Sequence, residues 1–137
     1  MHPEIIRLFS DHKLRLTKPR EAVFELLKKA DRPLSHVELM SASPDMDKVS
    51  IYRTIETFIR LGIVTSVPHG WKQRYELAAP FRPHHHHFLC LQCDMVEEIE
   101  SDQLEKMIQI FAQYQGFKVT GHTFEITGLC KKCSSDQ

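Results

Sequence analysis

An α+β fold in two parts is what this sequence predicts, and three observations predict it. Up to residue 78, apolar residues recur at helical spacing in a series of short runs, and two β-prone runs close the series. Residues 79–83 then place Pro80 and Pro83 in a short stretch that disfavours both helix and interior strand. From residue 84 onward the pattern changes to β-prone runs around a single helical one. Domains over 1–78 and 84–137, joined by a hinge at 79–83, are the expected organisation.

Composition bounds the rest. A chain of 137 residues with 42% hydrophobic residues can pack one domain or two small ones. No apolar run approaches the roughly 18 residues needed to span a bilayer, so no membrane partner is expected. With no apolar leader at the start, a cytoplasmic location is the expectation. Net charge is zero, which argues against a generic polyanion binder, but the distribution is uneven. Residues 1–78 carry 13 Lys/Arg against 10 Asp/Glu, whereas residues 79–137 carry 5 against 8. Arg7, Lys13, Arg15, Lys18 and Arg20 face only Asp11, a local positive patch of the kind a DNA footprint requires and a solvated helix face also shows.

The first helix is expected over Pro3–His12, with Ile5, Ile6, Leu8 and Phe9 apolar. Thr17 is a good N-cap for the second, with Pro19 early in its first turn and a stripe of Val23, Leu26, Leu27 and Ala30. Ser35 and Glu38 have capping-box spacing and open a third helix through Met40, before Ser43-Pro44-Asp45 forces a turn. The fourth runs from about Asp47 to Leu61 with Gly62 as its C′ residue. Its core stripe reads as Ile51, Ile55, Phe58 and Ile59, leaving Ser50, Arg53, Thr54 and Thr57 outward. Hydrogen-bonding and cationic side chains of that kind suit phosphates and base edges in a major groove. Ile63–Val67 and Trp71–Leu77, separated by Pro68-His69-Gly70, make a hairpin directly after this helix. Helices ending in a recognition helix and a two-stranded hairpin describe a winged helix-turn-helix, with Lys72 and Arg74 on the wing and Trp71 packing the hairpin.

The second part opens on His84-His-His-His87-Phe-Leu-Cys90-x-x-Cys93. In an extended chain side chains alternate, so His84 and His86 project to one face while His85 and His87 project to the other. One strand then serves two metal sites. The histidines are internal and run into Phe88-Leu89, unlike a purification tag. Cys130-x-x-Cys133 repeats the first cysteine spacing, which suits four thiolates on a tetrahedral Zn²⁺, with a thiol redox switch as the alternative. After a Gln92–Asp94 turn, Met95–Ile99 is expected as a second strand. Ser101 or Asp102 then caps a helix through Gln115 that turns Leu104, Met107, Ile108 and Phe111 inward, and Gly116 ends it. Phe117–Thr127 is β-prone, with Phe124 and Ile126 alternating, and leads back to the second cysteine pair. A small α/β sheet of this kind leaves edge strands that often pair across a dimer.

Leu14-Arg-Leu-Thr-Lys-Pro-Arg20, Val49-Ser-Ile-Tyr-Arg-Thr54, Gly62-Ile-Val64, the histidine run with its CxxC, Gly121-His122 and Gly128-Leu-Cys-x-x-Cys133 together resemble the ferric uptake regulator family of bacterial metal-responsive repressors. The resemblance spans nearly the whole chain. It implies a winged-helix DNA-binding domain, a hinge, and a small α/β dimerisation domain that carries the metals. Cys90, Cys93, Cys130 and Cys133 match the family's structural Zn²⁺ site. His84, His86, Glu105 and His122 match a second site, in which one family variant has Asp where His86 stands. Glu76, His85, His87 and Glu98 match a third, regulatory site, although Pro33 stands where the DNA-binding domain often supplies a histidine; His36 and His69 are possible substitutes. Arg15, Arg20, Ser50, Tyr52, Arg53, Thr54 and Lys72 are the candidate DNA-binding residues. An Asp typical of the peroxide-sensing branch is replaced by Glu98.

A metal-gated repressor of metal-homeostasis genes follows as the expected function, a homodimer on double-stranded operator DNA. The implied mechanism has a divalent ion, Zn²⁺, Fe²⁺ or Mn²⁺, tie hinge and wing to the dimerisation domain and set the separation of the two DNA-binding domains. A metalloenzyme would need an open coordination position and a base, and no HExxH-type motif is present. A zinc-stabilised redox chaperone is the other class to discriminate.

Overall fold

The computed structural model describes residues 2–69 and 72–135, and the chain divides between Pro83 and His84 into two compact units. In the first, α1 (Pro3–Asp11), α2 (Lys18–Lys29), α3 (His36–Ala42) and α4 (Lys48–Arg60) precede a hairpin of β1 (Val64–His69) and β2 (Lys72–Leu77). The starts are set by local chemistry. Ser35 and Glu38 form the reciprocal capping box of α3, and the Asp47 carboxylate accepts from the Ser50 backbone N–H at 2.7 Å to open α4. Gly62, at φ +73°, takes the left-handed conformation that ends α4 and turns the chain into β1.

The helices bury Ile5, Phe9, Val23, Phe24, Leu27, Leu39, Ile51, Ile55 and Phe58 in one core, which Val64, Tyr75 and Leu77 of the hairpin close. Two expectations for α4 are corrected. Ile59 is 44% exposed, whereas Thr54 and Thr57 are buried at 4% and 7%. Thr54 lies three residues after Ile51, within the same stripe, and α4 packs on α2, α3 and β1, so its covered sector widens towards the threonines. Phe58 is fully buried, edge-on to Phe9 at 6.1 Å between ring centroids. Phe58→Ala is expected to cost about 3–5 kcal/mol in this unit, read as a lower denaturant midpoint with zinc content unchanged. Of the residues expected as a hinge, Phe81 packs edge-on against Phe24 at 5.2 Å and His2 at 5.1 Å, within the first unit. Trp71, expected to pack the hairpin, lies outside the described residues.

The second unit is built on β3 (His86–Cys90). To one side runs β4 (Val96–Ile99), antiparallel, and to the other β5 (Glu125–Gly128), parallel, giving the order β4-β3-β5. A parallel neighbour requires a crossover connection, and α5 (Asp102–Tyr114) lies on it; the Ser101 hydroxyl accepts from the Leu104 backbone N–H at 3.2 Å. The short α6 (Lys131–Ser135) ends the described chain.

Three expectations change here. Regular strand pairing starts at His86, so His84 and His85 lie just ahead of it. Only Glu125–Gly128 of the run from 117 is paired as a strand, and residues 117–124 have no strand partner among the described residues. The expected inward face of α5 is not covered: Leu104 and Ile108 are half-buried, Met107 is 50% and Phe111 63% exposed. Periodicity marks which face is apolar but not what covers it, and none of the described residues buries Met107 or Phe111. No helix among the described residues is long and apolar enough to cross a membrane.

Candidate metal centres and nucleic-acid face

β3 supplies a residue to each of the three centres: Cys90 to the first, His86 to the second and His87 to the third. Cys90 ends the strand, Cys93 sits in the turn that follows, Cys130 comes two residues after the end of β5, and Cys133 lies on α6. The parallel register, with Cys90 opposite Gly128, brings the two CxxC pairs together. All four sulfurs lie within 4.8 Å of one another, and Cys93 Sγ is 3.8 Å from Cys130 Sγ. Thiolates at about 2.3 Å from a tetrahedral Zn²⁺ stand about 3.8 Å apart, so the donor set fits that ion. No disulfide is formed. Backbone N–H groups of Cys93 and Cys130 hold the Cys90 thiol down to about 6, while hydrogen bonding to Cys130 and then burial push Cys133 up to about 12. Four such crowded sulfurs ionise together only around a cation.

The second set converges from β3, its approach, α5 and the segment before β5. Glu105 Oε1 stands 2.7 Å from His86 Nε2 and 3.2 Å from His84 Nε2, and Glu105 Oε2 is 2.8 Å from His122 Nε2. His84 and His122 approach at 3.1 Å between Nε2 atoms. His86 is buried, its ring stacked on His122. Hydrogen bonding from His86, aided by the nearby His122 and His84 and opposed by burial, holds the Glu105 carboxyl below its ordinary value. Three imidazoles and one carboxylate suit a first-row divalent ion.

On the opposite face His85 Nε2 and His87 Nε2 meet at 3.0 Å, and Glu98 Oε1 lies 3.8 Å from His85 Nε2. Glu98 is in register with His87 across the β3–β4 ladder, so the pair shares a face. Glu76 is buried on β2 in the first unit. Of the two substitutes considered for a histidine at Pro33, His36 is engaged by tyrosines, and the His69 side chain lies outside the described residues. Sequence reasoning missed Glu125, which binds His87 Nδ1 through both carboxylate oxygens at 2.9 and 3.1 Å. Its signal was there: it lies between Phe124 and Ile126, hence on the other face of that strand.

In the first unit, Arg53, Tyr52, Arg15 and Lys72 are exposed and Ser50 is half-exposed. Thr54 is buried in the core of α4 and is withdrawn from that face. Arg20 donates from Nη1 to the Arg15 carbonyl and lies over the Phe9 ring at 5.4 Å, bracing the basic loop. Tyr52 is contacted by the His36 ring at 3.8 Å between centroids and by Lys48 Nζ at 5.6 Å from the Tyr52 ring centroid. His36 Nε2 is in turn 3.1 Å from the Tyr75 hydroxyl. Burial, and then Lys48, keeps the His36 imidazole below its ordinary pKa.

The model of the ferric uptake regulator family matches residues 11–127. The ferric uptake regulation protein of Campylobacter jejuni is 31% identical over 131 residues, covering 90% of this chain and 82% of that protein. The Vibrio cholerae ferric uptake regulator superposes with a TM-score of 0.77 at 27% identity, over 90% of this chain and 98% of that one. A zinc uptake regulator solved in complex with zinc and DNA superposes with a TM-score of 0.64 at 25% identity, over 97% and 92%. On this evidence the chain belongs to the ferric uptake regulator family, whose members are metal-responsive transcriptional regulators rather than enzymes.

Proposed function

We propose that the chain works as a cytoplasmic homodimer in which divalent metal on the second unit selects the operator-binding form. The first unit is the DNA reader. The observation that carries the reading is β3: its alternate histidines serve two separate donor clusters, and its last residue, Cys90, serves a third. The cysteine cluster holds Zn²⁺ structurally. His84, His86, Glu105 and His122 form one exchangeable site, and His85, His87 and Glu98 form the core of another. These donors suit Zn²⁺, Fe²⁺ or Mn²⁺ alike, so the metal available in the cell decides which is sensed. Ser50, Tyr52 and Arg53 on α4 meet the major groove, while Arg15, Arg20 and Lys72 contact the backbone. Because metal favours the DNA-competent form, DNA tightens metal by the same factor.

The test is a metal titration of DNA affinity, using a duplex that the metal-loaded protein has selected from a random pool. Affinity is expected to rise with added Mn²⁺ or Zn²⁺ and to fall on chelation, with the four-cysteine zinc retained. Equal affinity with and without metal would overturn the gating. Arg53→Ala is expected to lose about 1–3 kcal/mol of binding with metal content and dimerisation unchanged. Relaxed base preference would mean base readout, a uniform loss with a smaller salt slope would mean a phosphate contact, and no loss would remove α4 as the reader.

A further inference from the structure

Carboxylates meet the two histidine clusters in different ways. In the first, Glu105 addresses the Nε2 atoms of His84, His86 and His122, the same atoms that converge on one another. In the second, His85 and His87 converge through Nε2, whereas Glu125 binds His87 from behind, at Nδ1.

We propose that Glu125 is the positioning residue of the His85/His87 cluster, fixing the orientation and tautomer of His87 so that its Nε2 lone pair faces the metal. The proposal rests on the reading of that cluster as a metal site and deepens it.

The geometry follows from the strand pairing. Glu125 is in register with His87 across the parallel β3–β5 ladder, and cross-strand partners share a face. On the other side of His87, Glu98 is in register across β4. The histidine thus stands in a row with a carboxylate on either hand. Glu98 Oε1 lies 3.8 Å from His85 Nε2, whereas both oxygens of Glu125 lie on His87 Nδ1. His87 is 2% exposed, so its ring has little bulk water to pair with, and a buried ring nitrogen needs a partner. A neutral imidazole carries one proton. With the Glu125 carboxylate accepting from Nδ1–H, that proton is placed, and Nε2 is left with its lone pair. A carboxylate behind a ligating histidine also raises its basicity, and loss of such a partner typically weakens metal binding by about 10–100-fold.

The experiment titrates the zinc-loaded dimer with Co²⁺, following visible absorption, for wild type and for Glu125→Ala, Glu125→Gln and His87→Ala. In parallel, ¹⁵N spectra of the histidine rings are taken before Co²⁺ is added. In wild type His87 is expected as the Nδ1–H tautomer, and in Glu125→Ala as a mixture. Glu125→Ala is expected to weaken the Co²⁺ equivalent that His87→Ala abolishes, by about 10–100-fold, while the equivalent that depends on His86 is unchanged. Glu125→Gln keeps an oxygen acceptor without the charge, so it is expected to hold the tautomer and lose less affinity.

Should His87→Ala remove no metal, the metal-site reading itself falls. Should His87→Ala abolish one equivalent while Glu125→Ala leaves its affinity and the tautomer as in wild type, the positioning role alone falls. Loss in Glu125→Gln as complete as in His87→Ala would make Glu125 a direct ligand, which also overturns the proposal.

Discussion

Cys93→Ser is expected to release about one zinc per chain and to unfold the second unit or reduce it to monomers. The size of the effect follows from how little else holds that unit. Its buried apolar residues among those described are Leu89, Cys90 and Cys133, and two of these are themselves members of the cluster. Its strands are four or five residues long, and α5 buries none of its residues. A structural zinc contributes on the order of 10 kcal/mol, as much as the whole stability of many domains, about 5–15 kcal/mol. Cys93 is exposed, so removing its thiol opens little cavity and the loss reports the metal rather than packing. Zinc release, far-ultraviolet circular dichroism and sedimentation measure it. A stable zinc-free dimer of this variant would refute the assignment.

Substitutions along the histidine run are expected to sort by parity rather than by proximity. His86→Ala is expected to lose the same metal equivalent as Glu105→Ala and His122→Ala, since the Glu105 carboxylate touches both rings. His87→Ala is expected to lose a different equivalent, shared with Glu98→Ala. With Pro33 at the position where the resemblance calls for a further histidine, the His85/His87 site is expected to be the weaker and faster-exchanging one, as suits a sensor. Metal stoichiometry and affinity for the five variants, alongside metal-dependent DNA binding, decide it. Loss of one and the same metal in His86→Ala and His87→Ala would show that the run chelates a single ion.

What was legible in the sequence is what short-range chemistry determines. The Ser35–Glu38 capping box, the Asp47 start and Gly62 end of α4, and the alternation of the histidines all depend on neighbours a few residues apart. The cysteine cluster was legible for another reason: four ligands of one ion must meet wherever the chain has to bend. Thr54, Thr57 and Ile59 were misassigned because polarity was taken for exposure and apolarity for burial, whereas helix geometry and the packing of α2, α3 and β1 determine the sector. The alternation of Phe124 and Ile126 marks the face of Glu125, but its partner lies 38 residues away in a parallel register that this alternation does not encode.

In a homodimer that covers the open face of α5, folding of the second unit is expected to become a matter of mass action. Met107, Ile110, Phe111 and Tyr114 are 50% to 84% exposed in the single chain, a cost that association removes. For a chain stabilised by its own second copy, apparent melting temperature rises with protein concentration, and dilution unfolds what heat has not. The number of regulator molecules in the cell then sets their durability as well as their occupancy of DNA: scarce copies fall apart into chains that proteases can reach, and abundant ones protect each other.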